Sequence, residues 1–444
     1  MIDGERPPMV YYLCHLLIVG VYAACPAVVV ARAVRARRRR TGRNTALVRL
    51  VRATVEGFAA SMIACVVYAY AAGARPLVSQ VLVTAYWATS FILVLGALDR
   101  GLWRFTQWAF ALSPGRLNGR MLSARLLGAL VLRLGVVVGV IIPYVLAVAM
   151  TYRPRTSPTT DPERLYQWAF EPVRFPATDG TRVTGWWIPA AGGPSARTVL
   201  LCPGATGGMA GALRLVARHP GEPGQPDQPG LRDDGYNVLA IDFRGHGDSG
   251  GQLVSYGDLE RRDVLGAVRW LQATHPTEAR RILGLGVSTG AAALLAAAAD
   301  PSPFGQSIDA VAVYAPYDRL DHLVRTTVDA VPVAPPYGPI SLPPPLGWLI
   351  EHVGLPMAGL QVGADLPAFA PVDAAAELWP RPLLVLHGMN DEVIPFRAGQ
   401  AVYNAASGPK DNLFIGQCRH AQLLDSPAAE RAVQTFFGVA RPII

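Results

Sequence analysis

The chain has 444 residues, of which 51% are hydrophobic and only 16% charged, with a formal net charge of +8. Soluble domains carry about 25% charged residues, so disorder, a collagen-like repeat and an ordinary polar globule are excluded. The cysteines, at positions 14, 25, 65, 202 and 418, are too scattered for a disulfide framework and include no CxxC pair of a zinc site.

The charge is uneven. Residues 1–152 hold 17 arginines against 4 acids, whereas residues 153–444 hold 23 basic and 28 acidic side chains. The basic third is also the most apolar, which points to membrane topology rather than to nucleic acid. Its apolar runs at 10–31, 57–74, 77–98 and 126–150 compare with the span of about 20 residues that a membrane helix needs. Arg133 lies inside the fourth run, where a long side chain is expected to snorkel. Arginines crowd the loops after the first and third runs. Those loops are expected on the cytoplasmic side, and everything after Met150 outside. The expectation is a four-helix transmembrane anchor over 1–152, an integral membrane location with an extracytoplasmic domain, and the lipid bilayer as a partner.

Residues 153–164 are polar and rich in Pro and Thr, as a linker is. Residues 165–444 suffice for one large domain. Apolar segments at 172–175 and 182–188 flank a turn at Thr178-Asp179-Gly180 and read as paired strands. Short buried strands are expected at 198–202, 237–242, 281–286, 310–314, 382–386 and 412–415, with helices at 259–271 and 291–299 among them. That alternation predicts an α/β fold, a mainly parallel sheet with helices on both faces. Residues 318–371, Pro-rich and apolar, lie between two of these strands and are expected to form a cap, whose apolar surface either admits an acyl chain, dips toward the bilayer or serves as a rigid cover.

Gly286-Val287-Ser288-Thr289-Gly290 follows a predicted strand and opens an Ala-rich helix. In that setting G-x-S-x-G is a nucleophile elbow, whose glycines permit a tight turn that lifts the serine above the sheet. A serine needs a base to take its proton, and on this architecture the chain order is Ser, acid, His. Asp391 follows an apolar strand in His387-Gly-Met-Asn-Asp391, and His420 is the one histidine after it. Ser288, Asp391 and His420 are therefore the expected catalytic set. Asp365 and Asp373 are alternative acids that follow no buried strand, and Asp425 breaks the order. The expected oxyanion donors are the N–H of Thr289 and one from the loop 203–208, with Ala205 preferred and Thr206 next. Asp242, Arg244 and His246 read as a structural brace, and Cys202 and Cys418 as buried thiols, with a disulfide between them in an oxidising compartment as the alternative. No cofactor, metal or nucleic acid is expected.

From about Phe170 to Phe437 the chain resembles the α/β-hydrolase superfamily. The resemblance rests on Phe175-Pro-Ala-Thr-Asp-Gly-Thr-Arg-Val-Thr-Gly-Trp186, Cys202-Pro-Gly-Ala205, Asp242-Phe-Arg-Gly-His-Gly-Asp-Ser249, the elbow, the segment 387–395 and His420. It is most similar to the membrane-anchored serine hydrolase branch with lysophospholipase-like and depalmitoylase-like members. The resemblance implies cleavage of a carboxylic ester, a lipid ester among them, or of a thioester or amide, through an acyl-serine. It departs at Pro203, where such proteins often carry His. Acyl transfer and peptide cleavage are the alternatives on the same triad. A non-catalytic membrane scaffold with a hydrolase-like domain is the alternative of another class.

Overall fold

The computed structural model describes residues 157–439 except 194, 206–207, 218–228 and 330–343, together with 147, 148, 150–152 and the isolated positions 104, 127, 128, 131 and 135. The chain divides into two compact units, Pro7–Val145 and one that contains Leu146–Ile444. The second carries an eight-stranded sheet in the order β1-β2-β4-β3-β5-β6-β7-β8. Its strands are β1 (Glu171–Pro176), β2 (Arg182–Ile188), β3 (Arg197–Cys202), β4 (Asn237–Asp242), β5 (Arg281–Val287), β6 (Ile308–Tyr314), β7 (Leu383–Gly388) and β8 (Lys410–Ile415). β1 and β2 pair antiparallel at one edge, β2 joins β4 antiparallel, and the strands from β4 to β8 run parallel.

The pattern of letters explains the layers. β1 alternates exposed and buried residues, as an edge strand with one wet face does. β3, β4 and β5 are buried nearly throughout, because helices cover both faces. Successive side chains point to opposite faces. Val199 and Leu201 join the core that also holds Val433 and Phe437. Leu200 and Cys202 join the core that holds Ala291, Leu294 and Leu295. The helices over the second face include α1 (Glu260–Thr274) and α2 (Thr289–Ala299).

Between β6 and β7 the chain inserts α3 (Leu320–Asp329), α4 (Pro344–Leu349), a π-helical turn (Ile350–Gly354) and α5 (Leu355–Val362). This is the expected cap position. A third apolar cluster, with Leu320, Val324, Leu355, Leu366, Phe369 and Ile394, lies within and beneath it. α6 (Phe396–Ala405) follows β7.

The four-helix transmembrane region and the integral membrane location are corrected. Among the described residues no helix is long and apolar enough to cross a membrane. The runs 10–31, 57–74 and 77–98 lie outside the described residues, and 126–150 is described at isolated positions only. The end of that fourth run serves a different purpose. Ala147 is wholly buried in the cluster of Ala292, Tyr317 and Leu355. The Thr151 hydroxyl lies 2.8 Å from Ala147 O, and Tyr256 donates its hydroxyl to Met150 O at 2.7 Å. An apolar segment gains as much from a protein core as from lipid, so hydropathy alone misassigned it. Past it, the last residues of the expected linker, 162–164, enter a short helix, Pro162–Tyr166, capped by the Asp161 side chain.

Candidate active site

Parallel strands share a direction, so the loops after β3, β5, β7 and β8 all leave one edge of the sheet. Pairing of Cys202 with Gly286, of Val287 with Tyr314 and of Gly388 with Ile415 sets the height of that edge. In open α/β sheets this carboxyl edge is where ligands bind.

Ser288 stands at the end of β5 with φ 52° and ψ −115°, a conformation rare for a residue with a Cβ. Such a residue costs on the order of 1–3 kcal/mol and persists only where its surroundings enforce it. Here the enforcement is visible. Ser288 N–H donates to Tyr314 O at 2.8 Å, and Ala292 N–H donates to Ser288 O at 3.1 Å. A Cβ on Gly290 would fall 2.3 Å from the carbonyl oxygens of Cys202 and Pro203, and one on Gly286 would fall 2.7 Å from Gly290 O. Both glycines of the motif are thus required by close backbone approach. Thr289, buried, begins α2. A Cβ on Gly204 would lie 3.7 Å from Ser288 Cβ, so the loop after β3 passes beside the serine. Ala205 is the next residue of that loop, whereas Thr206 lies outside the described residues.

Asp391 follows β7 and His420 follows β8. The two are hydrogen-bonded, His420 Nδ1 to Asp391 Oδ2, at 2.6 Å. The Asp391 side chain is wholly buried, and that of His420 is 19% exposed. The other carboxylate oxygen, Oδ1, accepts the N–H groups of Val393 at 2.8 Å and Ile394 at 2.7 Å. Burial pushes the Asp391 carboxyl up, but the hydrogen bond and charge of His420 and these two N–H groups outweigh it and hold it below the usual range. The carboxylate therefore stays ionised and orients the ring, whose Nδ1 is occupied and whose Nε2 remains for chemistry.

Two side chains at this place went unremarked in the sequence. Glu392 accepts the His420 N–H at 3.3 Å and pairs with Arg419 at 2.9 Å. That pair is exposed, so it adds little stability. Its signal is an acid directly after Asp391 and a base directly before His420. The alternative acids lie on other elements: Asp365 caps the turn Leu366–Ala368, and Asp373 lies in the first turn of the helix Pro371–Ala376.

Asp242, Arg244 and Ser249 tie the neighbouring loop together. Asp242 Oδ1 accepts Met209 N–H at 2.8 Å, and Ser249 donates to Asp242 O at 2.6 Å. Arg244 reaches Asp263 and Asp179, each at 2.7 Å. His246 Nδ1 lies 3.0 Å from Arg244 O. Cys202 and Cys418 are buried free thiols, and burial pushes the Cys202 thiol up. Among the described residues no group of His, Cys, Asp and Glu is arranged to hold a metal ion.

A solved structure of the esterase Pf2001 from Pyrococcus furiosus is 21% identical and aligns with 66% of this chain and 99% of its own, at a TM-score of 0.50. The chain has the α/β-hydrolase fold. The X-Pro dipeptidyl-peptidase family (S15) matches residues 145–327 of this hydrolase-type domain, a stretch that includes Ser288 but neither Asp391 nor His420. Similar curated proteins include uncharacterized protein YfhR of Escherichia coli O157:H7, 25% identical over 257 residues, 57% of this chain and 74% of that protein. Uncharacterized protein Rv2307c of Mycobacterium tuberculosis is 27% identical over 261 residues, 58% and 75%. Human protein ABHD12B is 24% identical over 231 residues, 46% and 53%.

Proposed function

We propose that this α/β-hydrolase cleaves a carboxylic ester through an acyl-serine, with Ser288 as nucleophile, His420 as base and then acid, and Asp391 as the group that orients the imidazole. One relation carries the reading. A serine held in a strained turn ends the central strand, and a carboxylate–imidazole pair 2.6 Å apart ends two strands of the same sheet on the same edge.

The steps follow from the roles. Ser288 Oγ bonds to the carbonyl carbon as its proton passes to His420 Nε2. The carbonyl oxygen becomes an oxyanion that accepts N–H groups from Thr289 and from Ala205 in the loop after β3. Collapse breaks the ester C–O bond, and the departing alcohol takes the proton from His420. Water then repeats the sequence on the acyl-serine, which releases the carboxylic acid and restores Ser288. Asp391 remains ionised and stabilises the imidazolium in both halves. An acceptor other than water makes the same site an acyltransferase.

A peptidase reading has its own support, since the S15 match covers the strand and elbow that carry Ser288. The steps are the same with an amine leaving. Hydrolysis of p-nitrophenyl esters of graded chain length, measured beside an X-Pro p-nitroanilide, separates the two. Ester turnover that disappears in Ser288→Ala supports the esterase, and turnover of the anilide alone supports the peptidase. Equal turnover of either substrate by wild type and Ser288→Ala contradicts both.

A further inference from the structure

His387 stands behind the Asp391–His420 pair. It is the penultimate residue of β7, and its side chain is wholly buried. Its Nε2 lies 3.0 Å from Ile394 O and 3.5 Å from Asp391 Oδ2. The opposite side of the ring is pressed against α6, where a Cβ on Gly399 would come within 2.1 Å of Nδ1. The Phe396 ring meets it edge-on at 6.1 Å. Nδ1 is buried and has no hydrogen-bond partner among the described residues.

This environment assigns the tautomer. Nε2 faces a carbonyl and a carboxylate, both acceptors, so it carries the proton, and Nδ1 keeps its lone pair. A buried cationic ring with an unsatisfied Nδ1–H would be costly. Burial accordingly holds the imidazole below its usual range, although the Ile394 carbonyl and Asp391 act the other way. His387 is a neutral donor in a fixed orientation. The Nε2 to Asp391 Oδ2 separation exceeds that of a normal N–H···O bond, so its principal hold is on Ile394 O.

That hold closes a ring of interactions. Ile394 gives its N–H to Asp391 Oδ1 and receives the His387 N–H on its carbonyl. The 391–394 turn is thereby gripped from both sides, and Asp391 Oδ2 is left facing His420. We propose that His387 is a positioning residue, which through Ile394 fixes the turn that aims Asp391 Oδ2 at His420 Nδ1. It acts through another group and touches no substrate. The proposal rests on the catalytic reading of Ser288, Asp391 and His420, and deepens it.

The test compares the full chain as wild type, His387→Gln and His387→Leu. Gln offers an amide N–H close to the place of Nε2, and Leu fills the volume without a donor. Low-field proton NMR reads the short His420–Asp391 hydrogen bond, its line assigned by absence in His420→Gln. The line is expected to persist in His387→Gln and to vanish into exchange with water in His387→Leu. The rate of fluorophosphonate labelling at Ser288 is expected to fall about tenfold in His387→Leu and less than about threefold in His387→Gln, as for a misplaced catalytic group. An unchanged line and rate in His387→Leu overturn the proposal, and so does equal loss in both variants, which marks a packing role alone. His387→Met replaces His387→Leu in the comparison if thermal melting shows that the Leu variant does not fold. The NMR line does not depend on Ser288. A wild type that shows the line yet never reacts at Ser288 contradicts the hydrolase reading, while the variants still decide the role of His387.

Discussion

His420 Nδ1 lies 2.6 Å from Asp391 Oδ2 although the two residues are 29 apart in the chain. They meet because β7 and β8 are adjacent and parallel, with Gly388 opposite Ile415. The loops that follow the two strands leave the sheet side by side. The carboxylate can serve only as an acceptor there, and so it fixes which ring nitrogen bears the proton.

Asp391→Asn keeps the volume but offers an amide that can donate, which admits the wrong tautomer of His420. The kcat for ester hydrolysis is expected to fall by on the order of 10⁴-fold, as the loss of such an acid does elsewhere. Melting temperature and KM stay near wild type. Steady-state kinetics with a p-nitrophenyl ester check this, and a kcat within a few-fold of wild type speaks against the assigned acid.

Arg244 bridges Asp263, wholly buried, and Asp179, 18% exposed. Removing one partner leaves a buried charge uncompensated, so Arg244→Met is expected to lower stability by about 3–5 kcal/mol, measured by urea unfolding at neutral pH. Acid titration adds a sign. Burial pushes the Asp179 carboxyl up, but the hydrogen bond and charge of Arg244, together with the hydrogen bonds of Thr181, outweigh it and bring it down to about 2. A carboxyl depressed on folding contributes stability above its unfolded value, and that stability is lost as pH falls. The wild type should therefore lose this contribution between about pH 4 and pH 2. In Arg244→Met the depression shrinks to what the Thr181 N–H at 3.1 Å and Arg262 at 3.6 Å supply, and that part of the acid slope should flatten.

Legibility in the sequence followed the kind of constraint. The strands from β3 to β6 are continuous apolar runs bounded by turns, and buried parallel strands have no other composition. The elbow was legible because Gly286 and Gly290 answer to backbone collisions that any side chain would cause. Asp391 and His420 were nominated by chain order, a topological property that survives in one dimension. The end of the run at 126–150 was misread for a physical reason. An apolar letter reports a preference for leaving water and not the destination, and the destination of Ala147 is a cluster with Ala292 and Tyr317. His387 was passed over because its partner is the carbonyl of Ile394. A backbone group has no letter of its own.

The central claim is that Ser288 is an activated nucleophile. Its most direct measurement is the reaction of the full chain with a fluorophosphonate, read by intact mass and by mapping of the modified peptide. The account predicts one adduct, on Ser288, absent in Ser288→Ala and formed on the order of 10³-fold more slowly or worse in His420→Gln. A folded wild type that carries no adduct on Ser288, or an adduct that forms as fast in His420→Gln as in wild type, contradicts it.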